Sequence, residues 1–578
     1  MVIKKKKGVT RLAALAVSAA LVVPLLSSTA GSAGASGVTS FPRNETLYTS
    51  GTSYGAPTNF NPLDVGSRQM GTLGLVYEPL FLYDPIHGKF IPWLATSGSW
   101  TNATTYTIDV RNGVTWSNGT ALTGADVAYT INLAKTNPGV GYSSLVPEGL
   151  IGATASGNTV TVTFKSPAPY AAWQYFLWNN PILPQSIWSA LSSTEQLTGA
   201  NLTPIGSGPM TLVATNTTGG AAGLGEQCYQ DNPNWWAIKD LGLSFKFKYL
   251  CDAVNGSNSV ELSALLSGNL DWSNNFLPGI NSLMVTGGDT FLKTYYPKTP
   301  YMLSANTTWL ELNTAKAPMS NLNFRKAVAY GVNPQAIVTG DYDGIVAPAN
   351  PTGLLPNLDS YIDQSVVKQY GYSYNPALAK KYLAESGYKG QTLSLMVPTG
   401  WSDWVAAVQI IATELESIGI HISLIYPEAN TKTSDEDSGN YDMCLDNNAQ
   451  ASSDPYSYFD RVFQLPIGGK TNEEAAGLNL ERFSDPGAWS TLEQAAVTNP
   501  NDTAKVNALY GQLEADFLQN LPEIPLWYNG AWFQGNTTYW TNYPSSTNPD
   551  DQNTPVLWFS WLGATTTVFA LADLRPAH

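Results

Sequence analysis

The sequence predicts an α/β protein of two or three domains. Three observations carry this. The chain has 578 residues, more than one compact core accommodates. Several segments alternate strictly between polar and apolar residues, as half-buried strands do. Near residue 419 an apolar-periodic stretch, a glycine and a β-rich run follow one another, the order of an α/β unit.

Taken in chain order, the first segment is an export signal, residues 1–35. Lys4 to Lys7 and Arg11 form a basic start, Leu12 to Leu26 an apolar run, and Ala33-Gly34-Ala35 a small-residue cleavage site, with cleavage expected after Ala35. No cysteine lies nearby to take a lipid, and retention as an uncleaved anchor is the alternative. The expected location is extracellular, cell-surface or periplasmic. Residues 104–110 (TTYTIDV) and 158–164 (NTVTVTF) read as strands. Between them Thr123 caps a helix, with Asp126 at its third position. Residues 323–330 form a helix, as do 375–386, with Asn375 as cap, Pro376 in the first turn and Gly387 as terminator. Residues 405–418 form another, ended by Gly419 and followed by the strand HISLIY. Residues 215–225 and 545–554 read as loops.

Composition limits the function. Five of the 29 lysines and arginines and none of the 44 acidic residues precede residue 36, so export moves the net charge from −15 to −20. That disfavours nucleic acid and anionic membrane surfaces. Only 13% of residues are charged, against about 25% in ordinary soluble domains. Cys228 and Cys251 are candidates for a disulfide worth about 3 kcal/mol, and Cys444 is left over as a buried small hydrophobe.

The most informative stretch is 521–544, LPEIPLWYNGAWFQGNTTYWTNYP. Its rings are interleaved with Asn529, Gln534, Asn536 and Asn542, and its one charge is Glu523. Flat apolar faces beside neutral amides suit an uncharged polyhydroxylated ligand. A core strand followed by a Trp-rich loop is the bland alternative. Other chemistries fare worse. Gly51-Thr52-Ser53-Tyr54-Gly55 satisfies G-x-S-x-G, but Pro57 and Pro62 forbid the helix such an elbow needs, and the chain has three histidines. No HExxH or His/Cys pair at ligand spacing occurs, and Asp435-Glu436-Asp437 reads as a solvated loop, so neither metal nor cofactor is expected. A glycoside hydrolase needs two carboxylates across the scissile bond, and no second acid stands near Glu523 in the sequence. No enzyme activity is expected.

The order of short motifs resembles the extracellular solute-binding proteins of ABC transporters, the peptide/nickel-type family 5. Tyr77-Glu78-Pro79-Leu80 is similar to its "YEPL" element. Val110-Arg111-Asn112-Gly113-Val114-Thr115-Trp116, then Asn118-Gly119-Thr120 and Thr123-Gly124-Ala125-Asp126-Val127, resembles its signature. Ile205-Gly206-Ser207-Gly208-Pro209, Asn232-Pro233-Asn234-Trp235-Trp236, Leu266-Ser267-Gly268-Asn269-Leu270-Asp271, Leu312-Asn313-Thr314 and Asn323-Phe324-Arg325-Lys326-Ala327 follow in family order. These motifs read as mainly structural, with Asn118-Gly119 a tight turn, Arg325 pairing with backbone or a carboxylate, and Trp235 and Trp236 packing.

The resemblance implies a periplasmic-binding-protein-like two-lobe clamp of class II, with an inserted third subdomain. Lobe I would hold 36–85, 200–305 and 521–578, the insert 86–199, and lobe II 306–520. A monomer would close on ligand between the lobes and dock on membrane permease subunits. Peptide-binding members place an Asp four residues before a Pro in a segment resembling 447–459, here NNAQASSDPYSYF. That position is Ala451, so a peptide amine lacks its partner unless Asp454 or Asp446 substitutes. The family's oligosaccharide-binding branch resembles this chain at Arg43–Tyr48, at Asn59–Leu63 and at 524–544, and implies a cello-oligosaccharide or related β-glucan. Oligopeptide is the alternative. Stacking platforms are then expected at Trp527, Trp532 and Trp540 from one lobe and Trp401 and Trp404 from the other. Hydrogen bonds are expected from Asn274, Asn275, Asn447, Asn448, Asn529 and Gln534, with Tyr54 beside them. Strand alternation lets only one of Trp527 and Tyr528 face the cleft, and Trp527 is preferred.

Overall fold

The computed structural model describes residues 41–578 apart from 51–55, 65–67, 138–148, 219–224, 255, 287–290, 448–451, 468–477, 549–552 and 557–564. The export signal, the G-x-S-x-G motif, Tyr54, Asn448 and Ala451 lie outside the described residues.

Two large sheets and one smaller one organise the described chain. A seven-stranded mixed sheet runs Leu292–Lys293, Gln534–Asn536, Trp272–Ser273, Thr46–Ser50, Tyr249–Ala253, Glu226–Asp231, Met210–Asn216. A six-stranded sheet runs Ala347–Pro348, Glu523–Ala531, Leu303–Leu312, Met443–Asn447, Leu393–Met396, Ile422–Ile425. The four-stranded antiparallel sheet comprises Ala95–Asn102, Thr105–Val110, Thr159–Phe164 and Leu150–Ser156. The chain passes between the two large sheets at 293–303 and again at 531–534. Strand 523–531 pairs along 303–312, so a segment expected with the first strand contributes to the other large sheet.

Local chemistry explains the elements. Thr123 and Asp126 close a capping box on the helix Gly124–Thr136. Asn375 accepts from Leu378 N at the head of Pro376–Ser386, and Gly387 ends that helix at φ 73°. Helix Ser402–Ile418 ends at Gly419, φ 103°, before strand Ile422–Ile425. Only glycine takes these left-handed positions without strain. Cys228 and Cys251 face each other across antiparallel strands and are bonded.

The family-like motifs meet at one buried carboxylate. Glu78 accepts hydrogen bonds from Trp93 Nε1 (2.9 Å), Trp235 Nε1 (3.0 Å) and Ser207 Oγ (2.7 Å). Trp236 Nε1 bridges both its oxygens at 3.3 and 3.1 Å. Three indoles and a hydroxyl thereby fasten 77–80, 205–209 and 232–236 to strand 89–92's end. Arg325 donates to the carbonyls of Asn520 and Met319, both at 2.8 Å, tying helix Leu322–Gly331 to the end of helix Thr503–Asn520.

Candidate functional site

The expected platforms gather, but as packing. A β-bulge decides which ring faces where. Trp309 pairs with Pro525 and Thr308 with Trp527, leaving Leu526 as the extra residue. The bulge resets the alternation, so Trp527 turns into a core with Ile524, Trp404 and Tyr342, fully buried. Its ring lies 5.4 Å from Tyr342. Trp532 stacks on Tyr342 at 6.1 Å and 10° and meets Phe276 edge-on at 5.3 Å. Trp401 and Trp404 cross at 4.8 Å beside this group, Trp404 buried and Trp401 half-buried. Trp540 stands apart: it is 0% exposed, its Nε1 donates to Thr46 O (3.1 Å), and Phe247 meets it edge-on. It is a core residue under the seven-stranded sheet and offers a ligand no face.

The amides divide similarly. Asn274 Nδ2 donates to the carbonyls of Trp532 (2.6 Å) and Pro555 (3.1 Å), and Asn275 Nδ2 to Glu261 (2.8 Å). Both are spent on holding 272–275 in place. Gln534 is fully buried with its amide nitrogen toward Met302 Sδ. Asn529 and Asn447 are half-buried and keep part of their surface.

Tyr528, itself 8% exposed, is the aromatic ring of this strand that borders a cavity. It lines a cavity of about 740 Å³ with Tyr296, Lys298, Ser304, Asn357 and Thr554. The cavity lies where the two crossings run, for Met302–Ala305 and Ala531 also border it. The Tyr528 hydroxyl donates to Leu354 O (2.9 Å) and accepts from Asn350 N (2.9 Å), which fixes the ring's plane. Prolines 85, 297, 300 and 356 line it too, and no described lining residue is a carboxylate. Alternation in the sequence allowed only one of Trp527 and Tyr528 to face the cleft, and Trp527 was preferred; a bulge leaves no local mark in sequence.

The two acids that could replace the missing peptide anchor are engaged. Asp454 is partly buried, accepting from Tyr456 N (2.8 Å) and Tyr510 Oη (3.2 Å), and desolvation raises its pKa. Asp446 is also partly buried, and desolvation pushes its pKa up, but Lys432 Nζ at 3.3 Å and Arg461 Nη2 at 3.1 Å outweigh this and hold it low. Asp435-Glu436-Asp437, expected as a solvated loop, is in helix Ala429–Ser438, and Glu436 is buried on Lys432 at 2.5 Å. Glu523 does have acidic company: Glu311 and Glu481 come within 4.8 Å through folding. All three are 0% exposed, so no glycosidic bond could lie between them.

With this geometry in place, comparison with known proteins is decisive at the family level. Residues 89–469 match the model of the bacterial extracellular solute-binding proteins, family 5. The chain belongs to this family. Among relatives of this family-5 protein is the probable ABC transporter periplasmic-binding protein SapA of Escherichia coli. It is 26% identical over 82% of this chain and 85% of its own length. A mannohexaose-bound oligopeptide ABC transporter periplasmic protein of Thermotoga maritima superimposes with TM-score 0.86. That pair is 36% identical, over 93% of this chain and all of the other. The Campylobacter jejuni protein NikZ, solved with Ni(L-His), matches at TM-score 0.72 and 18% identity, a likeness of fold. The architecture of the family-5 protein is therefore the mixed α/β, periplasmic-binding-protein-like clamp. Among its described residues no helix is long and apolar enough to cross a membrane.

Proposed function

We propose that this extracellular solute-binding protein carries a neutral oligosaccharide, a cello-oligosaccharide or related β-glucan, to the permease of an ABC importer. The supporting observation is the cavity at the crossings: tyrosine faces, hydroxyls, an amide and one cation, Lys298, with no carboxylate among its described lining residues. Sugar rings present C–H faces to aromatic planes and hydroxyls to neutral polar groups. The engagement of Asp446 and Asp454 argues the same way, since a peptide ammonium would have to compete with Lys432, Arg461 or Tyr510. The Thermotoga maritima relative, which holds mannohexaose, adds weight.

In this reading the lobes correspond to the two large sheets, the four-stranded sheet is the insert, and the chain acts as an exported monomer. Tyr528 takes the stacking role first expected of Trp527. Trp401, the remaining edge of Trp532, and the half-exposed Asn447 and Asn529 are the secondary contacts. Ligand between the lobes favours the closed form, which the permease engages.

Titrating cellohexaose and mannohexaose, with di- to pentapeptides in parallel, tests this by thermal shift and tryptophan emission. A glycan is expected to raise the melting temperature. Tyr528→Ala is expected to weaken binding by about tenfold, the worth of one lost ring face. Silence toward every glycan with a clear peptide response would establish the oligopeptide reading instead. A reducing-sugar assay on β-glucan is expected to stay flat; release of ends would favour the hydrolase.

A further inference from the structure

Beneath the helices that cover the six-stranded sheet lies a group of buried charges that solute binding leaves unused. Glu311 and Glu523 pair in register on neighbouring strands, and Glu481 reaches them from the segment before helix Pro486–Ala496. That segment is fastened on both sides. Thr314 N and Oγ1 donate to Glu481 O, at 2.8 and 2.9 Å, and Arg482 donates to the carbonyls of Glu436, Asp437 and Leu480.

The charges do not balance. Glu311, Glu436, Asp446, Glu481 and Glu523 face Lys432 and Arg461, all of them buried or nearly so. Lys432 is engaged by Glu436 and Asp446, and Arg461 bonds Asp446. Tyr441 donates to Glu311 Oε1 at 2.6 Å, and the Cys444 thiol to Glu436 at 2.9 Å. Glu311 Oε2 and both oxygens of Glu481 and of Glu523 receive no hydrogen bond from any described group outside the trio, in side chains of 0% exposure, and within it Glu481 and Glu523 contact each other.

We propose that Glu311, Glu481 and Glu523 together hold one divalent cation of calcium type. A proton shared between two of these carboxylates would give one hydrogen bond to oxygens that need several. A hard cation serves them all at once. Ligand atoms that all lie within 4.8 Å of one another fit around an ion with metal–oxygen distances of about 2.4 Å, typical of calcium. The ion rivets residues 478–484 to the sheet. It lies inside the fold, so it enters as the protein folds and exchanges slowly.

The test uses the whole exported chain. It is unfolded in guanidinium with EDTA, desalted, and refolded with calcium chloride or with EDTA, and elemental analysis follows gel filtration. About one calcium per chain is expected after refolding with calcium, with a melting temperature higher by about 5 °C or more than in EDTA. Refolding that succeeds with calcium alone also supports the site. Glu481→Gln and Glu523→Gln are each expected to lose both the ion and the calcium-dependent gain. Below about 0.1 equivalent of calcium with identical melting in both buffers, the proposal is overturned, and shared protons explain the cluster. Stoichiometric calcium that persists in both variants overturns it too. Should a variant fail to fold, the wild-type measurements decide.

Discussion

Glu78 and the trio Glu311, Glu481 and Glu523 are two solutions to one problem, a carboxylate with no water around it. Glu78 is alone and surrounded by donors: three indole N–H groups and a serine hydroxyl converge on its two oxygens. The trio has three carboxylates within 4.8 Å and, among hydrogen bonds of the described residues, donors from outside the trio on Glu311 Oε1 alone. One site is complete within the chain, and the other calls for a charge from outside. An acid-to-amide change should therefore have opposite signs at the two places.

The largest effect is expected where the donors are. Glu78→Ala leaves the N–H groups of Trp93, Trp235 and Trp236 and the hydroxyl of Ser207 buried without their acceptor. Each such orphan costs about 1–3 kcal/mol, with strong non-additivity, so a loss of about 4 kcal/mol or more is expected in chemical denaturation. A loss below about 1 kcal/mol would mean that water replaces the carboxylate and that the motifs are not joined through it.

Substituting glutamine at both sites draws the contrast more sharply. Glu78→Gln keeps one acceptor but turns an NH₂ toward indole donors, and should cost about 2 kcal/mol. Glu523→Gln removes a charge from an over-acidic group and supplies donors to Glu481 or Glu311. In EDTA at pH 8 it should gain about 1 kcal/mol. If both variants lose stability equally in EDTA, the trio is already satisfied and the comparison fails.

How much of this was legible in the sequence follows the same divide. The motifs around Glu78 were read as mainly structural, and they were visible through their resemblance, in order and spacing, to the family's elements. Their meeting point was not, since convergence of residues 78, 93, 207, 235 and 236 is a property of the fold. Capped helices could be read from local rules, whereas Cys228 and Cys251 were only candidates until the fold set them opposite each other on paired strands. The bulge at Leu526 could not be read, and with it Trp527 packs into the core while Tyr528 borders the cavity. Strand 523–531 is buried along nearly all its length, so alternation carried little information about its faces. Trp540 misled for a related reason: a tryptophan among asparagines looks the same whether its indole meets a sugar or a backbone carbonyl. For Glu436 a signal did exist. Lys432 stands four residues before it, the spacing of a helical ion pair, and argued against a solvated loop. The trio spans residues 311 to 523, and no local pattern marks it.

The pH dependence separates the sites more finely. Burial raises the Glu78 pKa from 4.5 to about 7, outweighing the hydrogen bonds from Ser207 and the three tryptophans that pull it down. The folded state thus binds this proton more tightly than the unfolded chain. The stability it contributes is full below about pH 4.5 and is lost as pH rises through about 7. The difference between wild type and Glu78→Gln, followed from pH 4.5 to 8, should change across that window, because glutamine has no proton to release. A constant difference would place the Glu78 pKa near its ordinary value and mean that the four donors fully offset burial.

The smallest expected effect concerns one donor among four. Ser207→Ala removes the 2.7 Å hydroxyl bond to Glu78 Oε2, while Trp236 still reaches that oxygen at 3.1 Å. The carboxylate keeps a donor on each oxygen, so the cost should be about 1 kcal/mol. The variant should also raise the Glu78 pKa further, since one hydrogen bond favouring the charged form is gone, and shift the pH-dependent loss upward. At the trio the matching change is Tyr441→Phe, which strips Glu311 of its 2.6 Å donor. With few donors to begin with, that single loss should cost more than Ser207→Ala. Equal costs would mean that the number of donors around a buried carboxylate does not set the worth of each.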